Sequence, residues 1–162
     1  MGGSFLQTLE EKVGSEASAL IVIDMQNDFC HPNGFLSRGG KDLTQIKEMI
    51  PKLLEFIAAA REAGGRILFV KAVYDDKYCN EPMLERKSRL GIADVVCPEG
   101  QWGSEFYEGF EPQPEDFVIT KTRYSAFLGG NLKEVLDRER IRSLIITGVT
   151  TNCCVESTAR DG

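Results

Sequence analysis

A chain of 162 residues, 42% hydrophobic and 27% charged, has the length and composition of one ordinary globular domain. Its formal net charge of −6 disfavours nucleic acid and anionic membranes as partners, because both select basic surface. No apolar run approaches the ~20 residues of a membrane span, and the opening MGGSFLQTLEEKV lacks the basic start and long apolar stretch of a secretory leader, so a cytoplasmic location is expected.

In chain order, Phe5, Leu6, Leu9 and Val13 fall at helical spacing, and predict a short helix over 4–13 within an N-terminal arm, residues 1–17. That helix either packs on the main body or reaches a partner subunit. Residues 19–23, ALIVI, are apolar without alternation, which suits a strand covered on both faces of a parallel sheet. A loop rich in Gly, Pro, Asn and Asp fills 26–42. Apolar residues from Ile46 to Ala58 then predict a helix over 43–63, with Pro51 in its first turn and Gly64-Gly65 as its C-terminal cap. A second strand is read at 67–73. Residues 74–116 hold Pro82, Pro98, Pro112 and Pro114; so long an irregular stretch is functional or conceals short helices. A strand at 117–121, a helix over 131–140, a strand at 143–147 and a turn at Gly148 into a last helix complete the pattern. The βα repetition predicts a single α/β domain, a doubly wound parallel β-sheet flanked by helices.

Ligand sites of open parallel sheets lie beyond the carboxyl ends of the strands. The first strand ends in Asp24, the third in Lys121, and the fourth leads into TTNCCVESTAR. An acid, an amine and a thiol therefore converge on one edge. The thiolate is the nucleophilic form of cysteine, and a helix N-terminus or a cation favours it. Cys153 and Cys154 both lie at the start of the last helix, with Thr150, Thr151 or Asn152 to cap it. A carboxylate in reach takes the thiol proton and later delivers it to a leaving amine. A lysine beside both would hold the acid ionised and favour the thiolate. Backbone N–H groups of 148–154 are candidates for an oxyanion hole. Of the five cysteines (30, 79, 97, 153 and 154), none forms a CxxC pair, so neither a disulfide framework nor a zinc ribbon is expected.

Three segments, ALIVIDMQNDF (19–29), DFVITKTRYSAF (116–127) and SLIITGVTTNCCVESTARDG (143–162), resemble the isochorismatase-like cysteine hydrolases. The resemblance implies a three-layer fold with a triad of Asp24 as acid/base, Lys121, and Cys154, rather than Cys153, as nucleophile. It implies a cis peptide joining Val149 to Thr150, which would aim the Thr150 N–H with that of Cys154 at the oxyanion. It implies further strand and helices beyond Gly162, and a dimer or tetramer. Possession of Cys154 points to the members that cleave C–N bonds, and the RYSAF and TNCCVESTARDG runs look most like the ureidoacrylate and carbamoyl types. The substrate is then a small amide or ureido compound, with Asn27, Tyr74 and Tyr124 as candidate contacts. No cofactor is implied. A nicotinamidase-type metal site needs an Asp and two histidines, whereas His31 is the sole histidine and reads as an exposed loop residue. Two rival readings remain: a non-catalytic assembly module, and a thiol redox sensor built on the Cys153/Cys154 pair.

Overall fold

The computed structural model describes residues 5–162; residues 1–4 of the predicted arm lie outside the described residues. Helix α1 (Leu9–Val13) is shorter than the apolar spacing predicts because Thr8 caps it. The Thr8 hydroxyl accepts from the Glu11 N–H at 3.2 Å, and the Glu11 carboxylate accepts from the Thr8 N–H at 3.2 Å. None of its residues is buried. Strand β1 (Ser18–Ile23) follows, then two single-turn helices, α2 (Asn27–Cys30) and α3 (Phe35–Arg38). Next come α4 (Thr44–Glu62), β2 (Arg66–Ala72) and α5 (Glu81–Arg89), and then β3 (Phe117–Lys121), α6 (Leu132–Arg138), β4 (Ser143–Gly148) and α7 (Glu156–Asp161).

The four strands form one wholly parallel sheet in the order β3-β2-β1-β4. This order accounts for the burial of each strand. Central β1 is buried throughout, as its unbroken apolar run requires, whereas edge strand β3 buries Ile119 and Lys121 and leaves Val118 and Thr120 exposed. The chain progresses from β1 to β2 to β3 and then returns to lay β4 on the free side of β1. The topological switch, where such sheets hold ligands, thus falls between β1 and β4.

Apolar layers cover both faces, which makes the fold the predicted three-layer α/β sandwich. On one face Leu20, Val22, Ile67 and Phe69 meet Leu53 and Ile57 of α4, together with Phe29 and Phe110. On the other, Ile21, Ile23, Leu68, Val70 and Ile119 meet Leu132 and Val135 of α6. Among the described residues, no helix is long and apolar enough to cross a membrane.

Residues 26–42, read as loop, include the single-turn helices α2 and α3, and the 74–116 segment does hold short helices. Pro51 lies well inside α4 rather than in its first turn, so the helix gives up the bond that an N–H there would make to the Lys47 carbonyl. The 74–116 segment contains α5, entered through Asn80, whose side chain accepts from the Met83 N–H at 3.1 Å with Pro82 in the first turn. It also touches β1's extension through an antiparallel bridge between Gln26 and Phe106.

At the end of β4, Gly148 has φ of 111°, and a Cβ there would lie 2.0 Å from the Ile23 carbonyl oxygen. Only glycine allows β4 to lie this close to β1 while the backbone takes that angle. Gly148→Ala is expected to lower unfolding free energy by about 3 kcal/mol or more, read as a fall in the urea midpoint.

Candidate active site

Each strand end delivers one reactive group. Asp24 follows β1 directly with φ of 56°, a left-handed turn held by its N–H donating to the Val70 carbonyl at 2.8 Å. Lys121 ends β3, two strands away from β1, so its ammonium must cross the end of β2 past Ala72, its partner in register. Two strand spacings amount to ~9–10 Å, a gap that a long side chain closes. Lysine Nζ ends 2.8 Å from Asp24 Oδ2, and both side chains are fully buried. The same Nζ donates to the Tyr74 hydroxyl at 2.7 Å and to Cys154 Sγ at 3.4 Å. The distant residues 24, 121 and 154 therefore meet around one sulfur.

Cys154 enters this cluster from a widened turn, not from a regular helix start. Residues Thr151–Val155 form an i→i+5 turn, in which the Val155 N–H donates to the Thr150 carbonyl at 3.3 Å. The anticipated side-chain cap from Thr150, Thr151 or Asn152 is replaced by that backbone carbonyl, since Thr150 makes no side-chain cap bond. The Val149–Thr150 peptide is cis. Thr158 anchors the turn: its hydroxyl donates to the Cys154 carbonyl at 2.7 Å and accepts from the Ala126 N–H at 3.0 Å.

Electrostatically the cluster is balanced. Burial pushes the Asp24 carboxyl above its ordinary range, against the pull of the Lys121 charge. Its Oδ1 meets no aligned donor among the described residues, leaving lone pairs for a proton. Burial, followed by the Asp24 charge, pushes the Cys154 thiol up to about 12, with Lys121 opposing. Lys121 does favour the thiolate, as expected, but desolvation and the carboxylate outweigh it. Burial thus favours the thiol form of the sulfur beside the Asp24–Lys121 pair. Moving its proton to Asp24 keeps the cluster neutral, because Lys121 lies near both anions.

Tyr74 also borders a cavity of about 740 Å³, walled further by Tyr124, Met83, Leu128, Arg86 and Arg123; Asp24, Lys121 and Cys154 do not line it. Tyr124 is 51% exposed and meets Tyr74 edge-on with ring centres 6.2 Å apart. Asn27, by contrast, does not line the cavity; its amide donates to the Trp102 carbonyl at 2.8 Å and ties down the facing loop. His31 is partly buried, with its ring edge-on to Trp102 at 4.9 Å, in place of the open loop position expected of it.

Three supporting side chains escaped the sequence reading. Gln26 acts as a peptide mimic: it donates to the carbonyls of Ala72 (2.9 Å) and Ser104 (2.8 Å) and accepts from the Ala72 N–H (2.7 Å). Asp28 accepts from the Phe35 N–H at 3.1 Å and the Cys97 N–H at 2.7 Å. Arg123 donates to the Tyr78 carbonyl at 2.7 Å and fixes the loop after β2. Polar residues at 26 and 28, set among the buried Met25, Phe29 and Cys30, were the available signal for the first two.

The isochorismatase domain profile matches residues 18–162. The chain belongs to the isochorismatase family. Within it, the ureidoacrylate amidohydrolase RutB of Caulobacter segnis is 33% identical, with the match covering 93% of this chain and 68% of that protein. Its counterpart in Stutzerimonas stutzeri is also 33% identical, over 90% of this chain and 63% of that protein. Among solved structures, N-carbamoylsarcosine amidase from Thermoplasma acidophilum superposes with a TM-score of 0.71 at 26% identity, covering 90% of this chain and 75% of that one. A cysteine hydrolase from Pseudomonas syringae pv. phaseolicola shares the fold, with a TM-score of 0.79 at 24% identity over 99% of this chain and 71% of that one. The family and the Cys–Lys–Asp arrangement together make this an isochorismatase-like cysteine hydrolase.

Two measurements probe the site. A thiol raised to about 12 predicts that site-resolved iodoacetamide labelling of Cys154 is slow at pH 7 and climbs about tenfold per pH unit to pH 10. A plateau below pH 8 would instead reveal a preformed thiolate. Gln26→Met strands the Ala72 N–H, the Ala72 carbonyl and the Ser104 carbonyl, and is expected to cost about 3 kcal/mol or more in urea denaturation.

Proposed function

We propose that the protein hydrolyses the C–N bond of a small amide or ureido compound through a thioester on Cys154. One observation carries this reading: the Lys121 ammonium stands 2.8 Å from Asp24 and 3.4 Å from the Cys154 sulfur, beside Tyr74, which also lines a cavity. The relatives' names support the substrate class, since a ureidoacrylate amidohydrolase and an N-carbamoylsarcosine amidase are both among them.

Asp24 removes the thiol proton as sulfur attacks the carbonyl carbon. Lys121 stays in contact with whichever of the two is anionic, so no uncompensated charge arises in the buried site. The tetrahedral oxyanion is held by the N–H groups of Thr150, just before the wide turn, and Cys154, within it. Asp24 returns the proton to the departing nitrogen, the C–N bond breaks, and an acyl thioester remains. Asp24 then deprotonates water, which attacks the thioester and restores the thiol. Tyr74 and Tyr124 supply the aromatic surface against which a flat ureido or acyl group rests.

Ammonia release from a panel of ureido compounds and simple amides tests the assignment. Cys154→Ser is expected to lower kcat/KM by at least about a thousandfold, while Cys153→Ser stays within about fivefold of wild type. Retained turnover in Cys154→Ser together with loss in Cys153→Ser would overturn it. Asp24→Asn should fall at least about a hundredfold, because an amide cannot take the proton.

A further inference from the structure

The triad is buried, yet one residue both lines the cavity and touches the triad. Tyr74 leaves the end of β2 and places its hydroxyl at the meeting point of three groups. It accepts from Lys121 Nζ at 2.7 Å, lies 3.6 Å from Cys154 Sγ, and donates to the Arg123 carbonyl at 3.3 Å. Its ring also lies 5.0 Å from the Lys121 ammonium. An aromatic wall needs none of these polar contacts.

A phenol has one proton to donate. With Lys121 filling one lone pair of the oxygen, that proton has two acceptors in range, the Arg123 carbonyl and the sulfur. While sulfur is a thiol, the carbonyl is the stronger acceptor. Once sulfur loses its proton to Asp24, the thiolate becomes the better one, and a rotation about the C–O bond redirects the hydroxyl without moving the ring. We propose that Tyr74 is a catalytic residue whose hydroxyl turns from the Arg123 carbonyl to the Cys154 sulfur as negative charge develops there. The thiolate then has two donors, the ammonium and the phenol, and the tyrosine assists both thioester formation and, in reverse, the departure of sulfur when water resolves the acyl-enzyme. Burial and the neighbouring anionic groups keep the phenol protonated far above its usual range, so the donor is present at every working pH. The arrangement also ties catalysis to cavity occupancy, because the ring that would contact bound substrate carries the donor.

This inference rests on Cys154 being the nucleophile, but its test does not need the substrate. Tyr74→Phe keeps the ring and removes the hydroxyl. Site-resolved alkylation of Cys154 by iodoacetamide in the full chain at pH 9 is expected to slow about threefold to tenfold, the loss of thiolate being partly offset by the greater nucleophilicity of a weaker acid's thiolate. A smaller side chain alone would open access and speed the reaction, so the direction separates the two effects. Incorporating 3,5-difluorotyrosine at 74, a stronger donor of nearly the same shape, should speed alkylation relative to Tyr74→Phe and at least match wild type, and it serves if the phenylalanine variant folds poorly. With substrate, Tyr74→Phe should lower kcat about tenfold or more and leave KM within about threefold. Unchanged alkylation and kcat in Tyr74→Phe, with wild-type Cys154 still the residue acylated, would overturn the role of Tyr74 alone. Turnover that survives Cys154→Ser would instead remove the reading beneath it.

Discussion

The buried contact between Lys121 and Asp24 is the constraint to which the rest of the site answers. Withdrawing both charges from water carries a desolvation penalty of several kcal/mol per ion, repaid only while the partners stay in register. Their strands are separated by β2, so the pairing fixes the lateral order of the sheet at its carboxyl edge. The end of β2 must offer a small residue, Ala72, for the lysine to pass. Asp24 must leave β1 in a left-handed turn to face it. Gln26 and Asp28, immediately downstream, then stitch the next residues to β2 and to the 97–104 loop, so the carboxylate cannot follow solvent outward.

Placing sulfur next to this pair changes the meaning of activation. A resting thiolate would add a second anion to a water-poor cluster with one cation. Burial disfavours that state, pushing up the Cys154 thiol and raising the basicity of the Asp24 carboxyl beside it. In the proposed reaction, charge moves as sulfur attacks the substrate carbonyl. Lys121 spans the path, and its ammonium need shift little as the anion migrates from oxygen to sulfur.

Much of this was legible in the residues. The unbroken apolar run of β1 announced a central strand, and the i, i+4 pattern of α4 announced a helix packed on a sheet. Asp24 and Lys121 could be placed because each ends an apolar strand, a position that needs no knowledge of the sheet. The strand order, by contrast, depends on contacts between segments far apart in the chain, which local pattern does not encode. The choice between Cys153 and Cys154 lay beyond periodicity for a related reason: the turn there is wider than a regular helix, so helical spacing does not say which side chain faces inward. Helix α5 stayed hidden because its residues, EPMLERKSR, bury no apolar face, and the hydroxyl of Tyr74 could be placed only once β2 and β3 were side by side.

The division of labour between scaffold and cavity has an evolutionary corollary. Asp24, Lys121 and Cys154 hang from sheet ends, whereas Met83 and Arg86 belong to a peripheral helix and Leu128 to a surface loop. Lineages can therefore exchange that outer shell and drift towards new substrates while the chemistry stays intact. Position 74 is the exception, since one side chain there both lines the cavity and reaches the Cys154 sulfur. Replacing it would alter preference and rate in a single step, which makes it the place where diversification should meet the most resistance.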